Sequence, residues 1–169
     1  MKYCPYCRAP LSYREVENRE RLVCTGCNRI IYENPIPATA AVVRDEDKKI
    51  LLVKRSVEPK KGMWCLPGGF VELDETPEQA CLRELYEETN LTGEIDRLMG
   101  IYPGHSAVYK SVLVIGYLIG RYQGLLNAGD DCEEAGFFDV RRLPTIAFRS
   151  HRTLLDDVLR GEKKRDDSR

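Results

Sequence analysis

Two groups of residues in this chain have types and spacings that suit chemistry. The first is two identical C-x2-C pairs, Cys4-Pro5-Tyr6-Cys7 and Cys24-Thr25-Gly26-Cys27, with 16 residues between them. Each pair sets two thiolates on one tight turn, and two such turns close a tetrahedron around a zinc ion. Pro5 stiffens the first turn, and Gly26 gives the second its backbone freedom. Disulfides and a redox dithiol are the competing uses. The odd total of seven cysteines argues against a closed disulfide set, and no strand–turn–helix pattern surrounds either pair. The second group is Glu84, Glu87 and Glu88, spaced i, i+3 and i+4 on one helical stripe. Such a stripe repels itself unless a cation sits within it, although a solvated charged face is the bland alternative. Pro67-Gly68-Gly69, whose backbone can approach a ligand closely, and the nearby Glu72 and Glu75 shift the balance. Dense hard oxygen donors suit Mg²⁺ or Mn²⁺.

The glutamates need a helix, and its signals are local. Thr76 is an N-cap, Pro77 takes the first helical position, and Gln79 completes a capping box. Asn90 can adopt the left-handed conformation that ends the helix after Thr89. Cys81, Leu82 and Leu85 share the core-facing side, and Arg83 can pair with Glu87 four residues on. The cysteines need only a hairpin. The charged, alternating stretch Leu11–Val23 supplies one too small to hold a core, so bound metal would provide most of its folding free energy.

Asn34-Pro35-Ile36-Pro37 marks a boundary. The expected division is a ribbon over residues 1–34, a second domain over 35–160 and a frayed polar tail over 161–169. In the second domain the apolar runs predict strands at Ala38–Val43, Ile50–Val53, Gly68–Leu73, Ile95–Ile101, Tyr109–Ile119 and Ala135–Asp139. Helices are expected at Pro77–Thr89 and Ser150–Leu159. That order implies a mixed sheet between helices rather than a doubly wound parallel fold.

Charge and hydropathy exclude some classes. With 26 Lys and Arg against 27 Asp and Glu, the chain lacks the excess basic charge of a general nucleic-acid binder. The mixed charge between Arg8 and Arg29 gives the ribbon no special claim to nucleic acid either. The longest apolar run, Val112–Ile119, falls well short of the roughly 18 residues of a membrane span. Met1–Pro5 has no apolar character, so a cytoplasmic chain without a leader is the expectation.

From Gly69 to Leu91 the chain reads G-x5-E-x7-R-E-L-x-E-E-x-N-L. It resembles the Nudix hydrolases, whose signature is G-x5-E-x7-R-E-U-x-E-E-x-G-U with U aliphatic. The one departure is Asn90 in place of glycine, a mild change because asparagine is the next-best left-handed cap. The resemblance implies an α/β/α sandwich with a mixed sheet, here preceded by a small zinc ribbon. It also implies metal-dependent cleavage of a pyrophosphate in a nucleoside diphosphate derivative. Carried over, Glu84, Glu87 and Glu88 are metal ligands, with the Gly68 carbonyl as a further one, and one glutamate orients or deprotonates water. Arg83 holds Glu87, and Glu75 braces the loop. The family often adds an acid on a loop before the last strand. Here that loop is Asp130-Asp131-Cys132-Glu133-Glu134, with Glu133 or Glu134 favoured.

A ribbon ahead of this domain resembles the NADH pyrophosphatases, but their S-Q-P-W-P-F-P motif is replaced by Met99-Gly100-Ile101-Tyr102-Pro103-Gly104-His105. Ile31–Pro35, Gly62–Pro67 and Ser150-His151-Arg152 resemble a subgroup acting on ADP-ribose or FAD, with AMP released. A sanitising nucleoside triphosphate pyrophosphohydrolase is the alternative within the class. A non-catalytic nucleotide sensor, with the ribbon meeting a partner, is the alternative outside it. A homodimer is a family expectation. Candidate substrate contacts are Arg55, Trp64, Tyr102 and His105, with core packing the stronger reading for Trp64. Lys54 can meet phosphate or end a strand in solvent, and His151 is expected to cap or pack its helix. Cys65, Cys81 and Cys132 read as small residues without nucleophilic duty.

Overall fold

In the computed structural model, residues 1–105, 108–129 and 131–166 are described. The chain forms two compact units, Met1–Asn34 and Pro35–Arg169. The first is a three-stranded antiparallel sheet of β1 (Leu11–Val16), β2 (Arg19–Cys24) and β3 (Ile30–Ile31). Glu17 and Asn18 join β1 to β2 with φ of 53° and 59°, the positive values that a two-residue hairpin turn requires. Cysteine turns lie at the other end. Arg8 N–H bonds to the Cys4 carbonyl at 2.9 Å and Asn28 N–H to the Cys24 carbonyl at 3.1 Å, both residues with left-handed φ.

The second unit is an α/β/α sandwich. Its mixed sheet runs β4 (Ile36–Val42), β8 (Val112–Gln123), β7 (Thr92–Gly104), with β4 parallel to β8 and β7 antiparallel to it. A smaller antiparallel sheet runs β6 (Trp64–Cys65), β5 (Ile50–Arg55), β9 (Cys132–Phe138). The strands β4 and β5 read as unbroken apolar runs because both of their faces are covered. Ala41, Val43 and Leu51 pack on one side with Cys81 and Leu85 of α1 (Pro77–Thr89). Ala40, Val42 and Leu52 pack on the other with Leu154, Leu155 and Val158 of α2 (Arg149–Asp166). Among the described residues, no helix is long and apolar enough to cross a membrane.

Three expectations change. Gly68–Leu73 is no strand: only Phe70 bridges Ala38, and Leu73 is fully exposed. Pro67 lacks an amide to donate and Gly68 kinks at φ 148°, so the segment lies along β4 without a full ladder. Cys132–Phe138 is strand, so Glu133 and Glu134 belong to β9 and not to a loop before it. Pairing with β5 continues as far as Arg55↔Cys132 and so starts the strand early. Lastly, α2 continues to Asp166 where a frayed tail was expected, because the Lys and Arg residues after Gly161 are good helix formers.

Candidate functional site

The helix α1 carries the carboxylates, and its start and stop follow the local code. Thr76 Oγ1 accepts from Gln79 N–H, the Gln79 side chain returns the bond to Thr76 N–H at 2.7 Å, and Asn90 caps the end at φ 58°. The asparagine that departs from the signature also bonds through Nδ2 to the Leu125 carbonyl at 3.1 Å, which glycine could not do.

Depth separates the three glutamates. Glu87 is exposed, Glu84 half-buried, and Glu88 is 7% exposed. Arg83 is the hub between them. Its Nη1 lies 2.8 Å from both Glu84 and Glu87, while Nε and Nη2 fork onto Glu75 at 3.0 and 2.7 Å. Glu75 in turn accepts from Glu72 N–H at 2.8 Å, so it ties the loop to the helix. The Arg83 guanidinium holds the Glu75 carboxyl below its usual range. Burial raises Glu84 and pushes Glu88 up to about 8.

Two glycines permit this arrangement. A Cβ on Gly68 would lie 2.1 Å from the Thr39 carbonyl oxygen, so only glycine lets this turn rest against β4. A Cβ on Gly69 would lie 2.3 Å from Glu84 Oε1, so the carboxylate packs against bare backbone. Gly68 N–H donates to Glu88 Oε2 at 2.8 Å, and the Cys132 thiol lies near the same carboxylate. His151 secures the same loop from behind. Leu66 N–H donates to its Nδ1 at 3.2 Å, which places the ring proton on Nε2. Burial pushes His151 down to about 4, so the ring is neutral at pH 7.

The glutamates offer hard oxygen donors of the kind a divalent cation takes, while among the described residues only the four cysteines bring their ligand atoms within 4.8 Å of one another. A buried carboxylate sits beside a half-buried one, and the one guanidinium on the stripe takes a cation's place between Glu84 and Glu87. The cysteine site is tighter. All four Sγ atoms lie within 4.8 Å of one another, with Cys7–Cys24 at 3.3 Å and Cys4–Cys27 at 3.8 Å. A tetrahedron of zinc–sulfur bonds of about 2.3 Å has edges of about 3.8 Å. Amides of Cys27 and Gly26 donate to Cys24 Sγ at 3.3 and 3.4 Å, and they pull its thiol down to about 6.

The remaining candidates divide. Arg55 lies close enough for its charge to reach Glu88 and His151, and its Nε donates to the Pro59 carbonyl at 2.8 Å. Trp64 packs edge-on against Phe138 at 4.6 Å, on the core side. Tyr102 is 7% exposed in the α2-side core and bonds to Asp157, so the structure does not bring it to the glutamates. His105 is exposed, with Nδ1 3.3 Å from the Lys110 carbonyl. Lys54 Nζ pairs with Glu134 at 2.6 Å and lies 3.6 Å from Glu133, so one cation is shared between two acids on the strand. Asp130 lies outside the described residues. The sequence pattern missed Cys132 and His151 as partners of this site. The thiol faces Glu88 only through the β5–β9 pairing, and His151 meets Leu66 across 85 positions.

A family model for the NUDIX domain matches residues 34–158, and one described as Nudix N-terminal matches residues 2–33. The chain is 40% identical over 131 residues to an ADP-ribose pyrophosphatase of Methanocaldococcus jannaschii, covering 77% of this chain and 76% of that one. It is 31% identical over 150 residues to an NAD-capped RNA hydrolase, NudC, of Vibrio atlanticus, covering 87% of this chain and 52% of the relative. It therefore spans about half the length of that relative. Among solved structures, a NUDIX hydrolase from Nitrosomonas europaea superimposes with a TM-score of 0.72 at 30% identity, covering 92% of this chain and 88% of that one.

Proposed function

This chain belongs to the Nudix hydrolase family, and on that premise we propose that it cleaves the pyrophosphate of ADP-ribose or a related dinucleotide such as FAD, releasing AMP. The observation that carries the reading is the glutamate stripe of α1 packed against Gly68 and Gly69, in a chain 40% identical to an ADP-ribose pyrophosphatase. Glu84, Glu87, Glu88 and the Gly68 carbonyl would hold Mg²⁺ or Mn²⁺. When bound, such a cation screens phosphate charge and lowers the pKa of water. Arg83 keeps Glu84 and Glu87 side by side in advance, and Gly68 N–H fixes the Glu88 carboxylate. His151 holds the preceding loop in register through Leu66. Arg55, beside Glu88, is the positive group best placed to meet substrate phosphate. Glu133 and Glu134, both in contact with Lys54, remain the acids proposed to assist from β9. The four cysteines would hold structural Zn²⁺, and the three remaining thiols, Cys65, Cys81 and Cys132, fit a reducing cytoplasmic setting.

The test is product analysis with Mg²⁺ over ADP-ribose, FAD, NADH and nucleoside triphosphates. AMP plus a phosphorylated partner is the expected result. A monophosphate plus pyrophosphate from a triphosphate would favour the sanitising alternative. Glu88→Gln should lower kcat by about 10³-fold, within the range for loss of a group acting on the reacting atoms. Near-normal turnover would remove Glu88 from the site.

A further inference from the structure

The charge of the ribbon is mixed along the chain but not in space. The β1–β2 register places Arg14 directly opposite Arg21 and Val16 opposite Arg19. Glu15 faces Glu20. Because strand side chains alternate, Arg14, Arg19 and Arg21 share one face while Glu15 and Glu20 share the other. The β2–β3 pairing, Leu22↔Ile31, continues to bring Tyr32 alongside Arg21, whose guanidinium lies 5.2 Å from the ring centroid.

The segregation comes with the register that the strand faces and Cys24 require, and it leaves three arginines together on one face. Like charges directly opposite each other are destabilising. A register one residue shorter would pair Arg14 with Glu20 and Glu15 with Arg19, but it would turn the strand faces over and misplace Cys24. Among the described residues, none of the three arginines forms an ion pair. Arg14 and Arg19 are exposed, and Tyr32 is 59% exposed. A second stacked pair, Arg29 over Tyr6 at 4.4 Å, lies in the same unit, with Tyr6 67% exposed.

We infer that this face of the ribbon binds single-stranded RNA. Three arginines without acidic neighbours on their face match a run of phosphates, and an open tyrosine ring with a guanidinium on one side matches an unpaired base. An acidic peptide offers the charge without the flat π-face, and a duplex keeps its bases stacked out of reach. The site lies on residues apart from the glutamates of α1, so it stands whether or not ADP-ribose is the substrate.

The test uses the zinc-loaded full chain and a fluorescein-labelled 12-nucleotide RNA, read by anisotropy from 50 to 200 mM salt. Three phosphate contacts give a slope of log affinity against log salt of about −2. Replacing Arg14 and Arg19 with alanine should weaken binding at least about tenfold and bring the slope near −1. Tyr32→Leu should weaken it about tenfold, and Tyr13→Ser on the opposite face should leave it unchanged. Zinc content and ADP-ribose hydrolysis check that each variant is folded. No binding of RNA overturns the inference, as does equal weakening by Tyr13→Ser. Tighter binding of duplex RNA, of single-stranded DNA, or of polyglutamate than of the labelled strand overturns it too.

Discussion

The ribbon and the glutamate helix both gather like-charged ligands, and they do so by opposite means. In the ribbon, four sulfur atoms already lie within 4.8 Å, and few side chains are buried besides Leu22, Val23, Cys4 and Cys24. There a bound metal would stand in for a core. In the second unit, apolar layers on both faces of the sheet fix α1 first, and Arg83 then holds Glu84 and Glu87 without any ion. A site can therefore be the reason that a domain folds, or a cargo that a finished domain carries.

Removing a cysteine breaks that comparison most sharply. Cys24→Ser should abolish zinc binding and unfold residues 1–34, because structural zinc supplies about 10–16 kcal/mol to units of this kind. Amide exchange should then show loss of protection in the ribbon and none in β4 or β5. Loss in both units would mean that the second does not stand alone.

A smaller effect separates the units by pH. His151 stays neutral in the fold down to about 4 but takes a proton near pH 6.5 when unfolded. Its contribution is present above pH 6.5 and is lost as pH falls toward 4, about 3 kcal/mol in all. Denaturant midpoints of the second unit should fall over that window. In His151→Asn, whose amide oxygen can still accept from Leu66 N–H, the slope should flatten. An unchanged slope would assign the acid sensitivity elsewhere.

Arg83→Met tests whether the carboxylates depend on their internal cation. It leaves Glu75, Glu84 and Glu87 without their cationic partner, and partly exposed pairs of this kind contribute about 1–2 kcal/mol together. Thermal melts should show that loss without Mg²⁺ and partial recovery with it. A loss indifferent to Mg²⁺ would argue against a cation on these groups. The smallest change is Asn90→Gly. It relieves a left-handed backbone and gives up one hydrogen bond to Leu125, so calorimetry should find a difference under about 1 kcal/mol.

How much was legible follows from the range of each interaction. The bounds of α1, its capping box and the Arg83–Glu87 pair depend on residues three or four apart, and the structure has them where the pattern placed them. The C-x2-C turns are equally local. Glu133 and Glu134 were misplaced because a strand's start is decided by its neighbour, here Arg55 pairing with Cys132. Tyr102 was offered for base stacking because an aromatic in a strand points either way. Its position in the sheet turned it toward Leu154 and Asp157.

By itself, then, the amino-acid order determined the cysteine pairs, the glutamate stripe, the helix that spaces it and the family to which the chain belongs. Helix geometry and turn chemistry act within a few residues and need no other part of the molecule. The tertiary structure alone decided which glutamate is deep, that His151 and Cys132 stand behind the site, and that the charged residues on one face of the β1–β2 ribbon are all arginines. Those outcomes depend on register and burial, which join residues far apart in the chain. A shift of one position in a strand would reverse them.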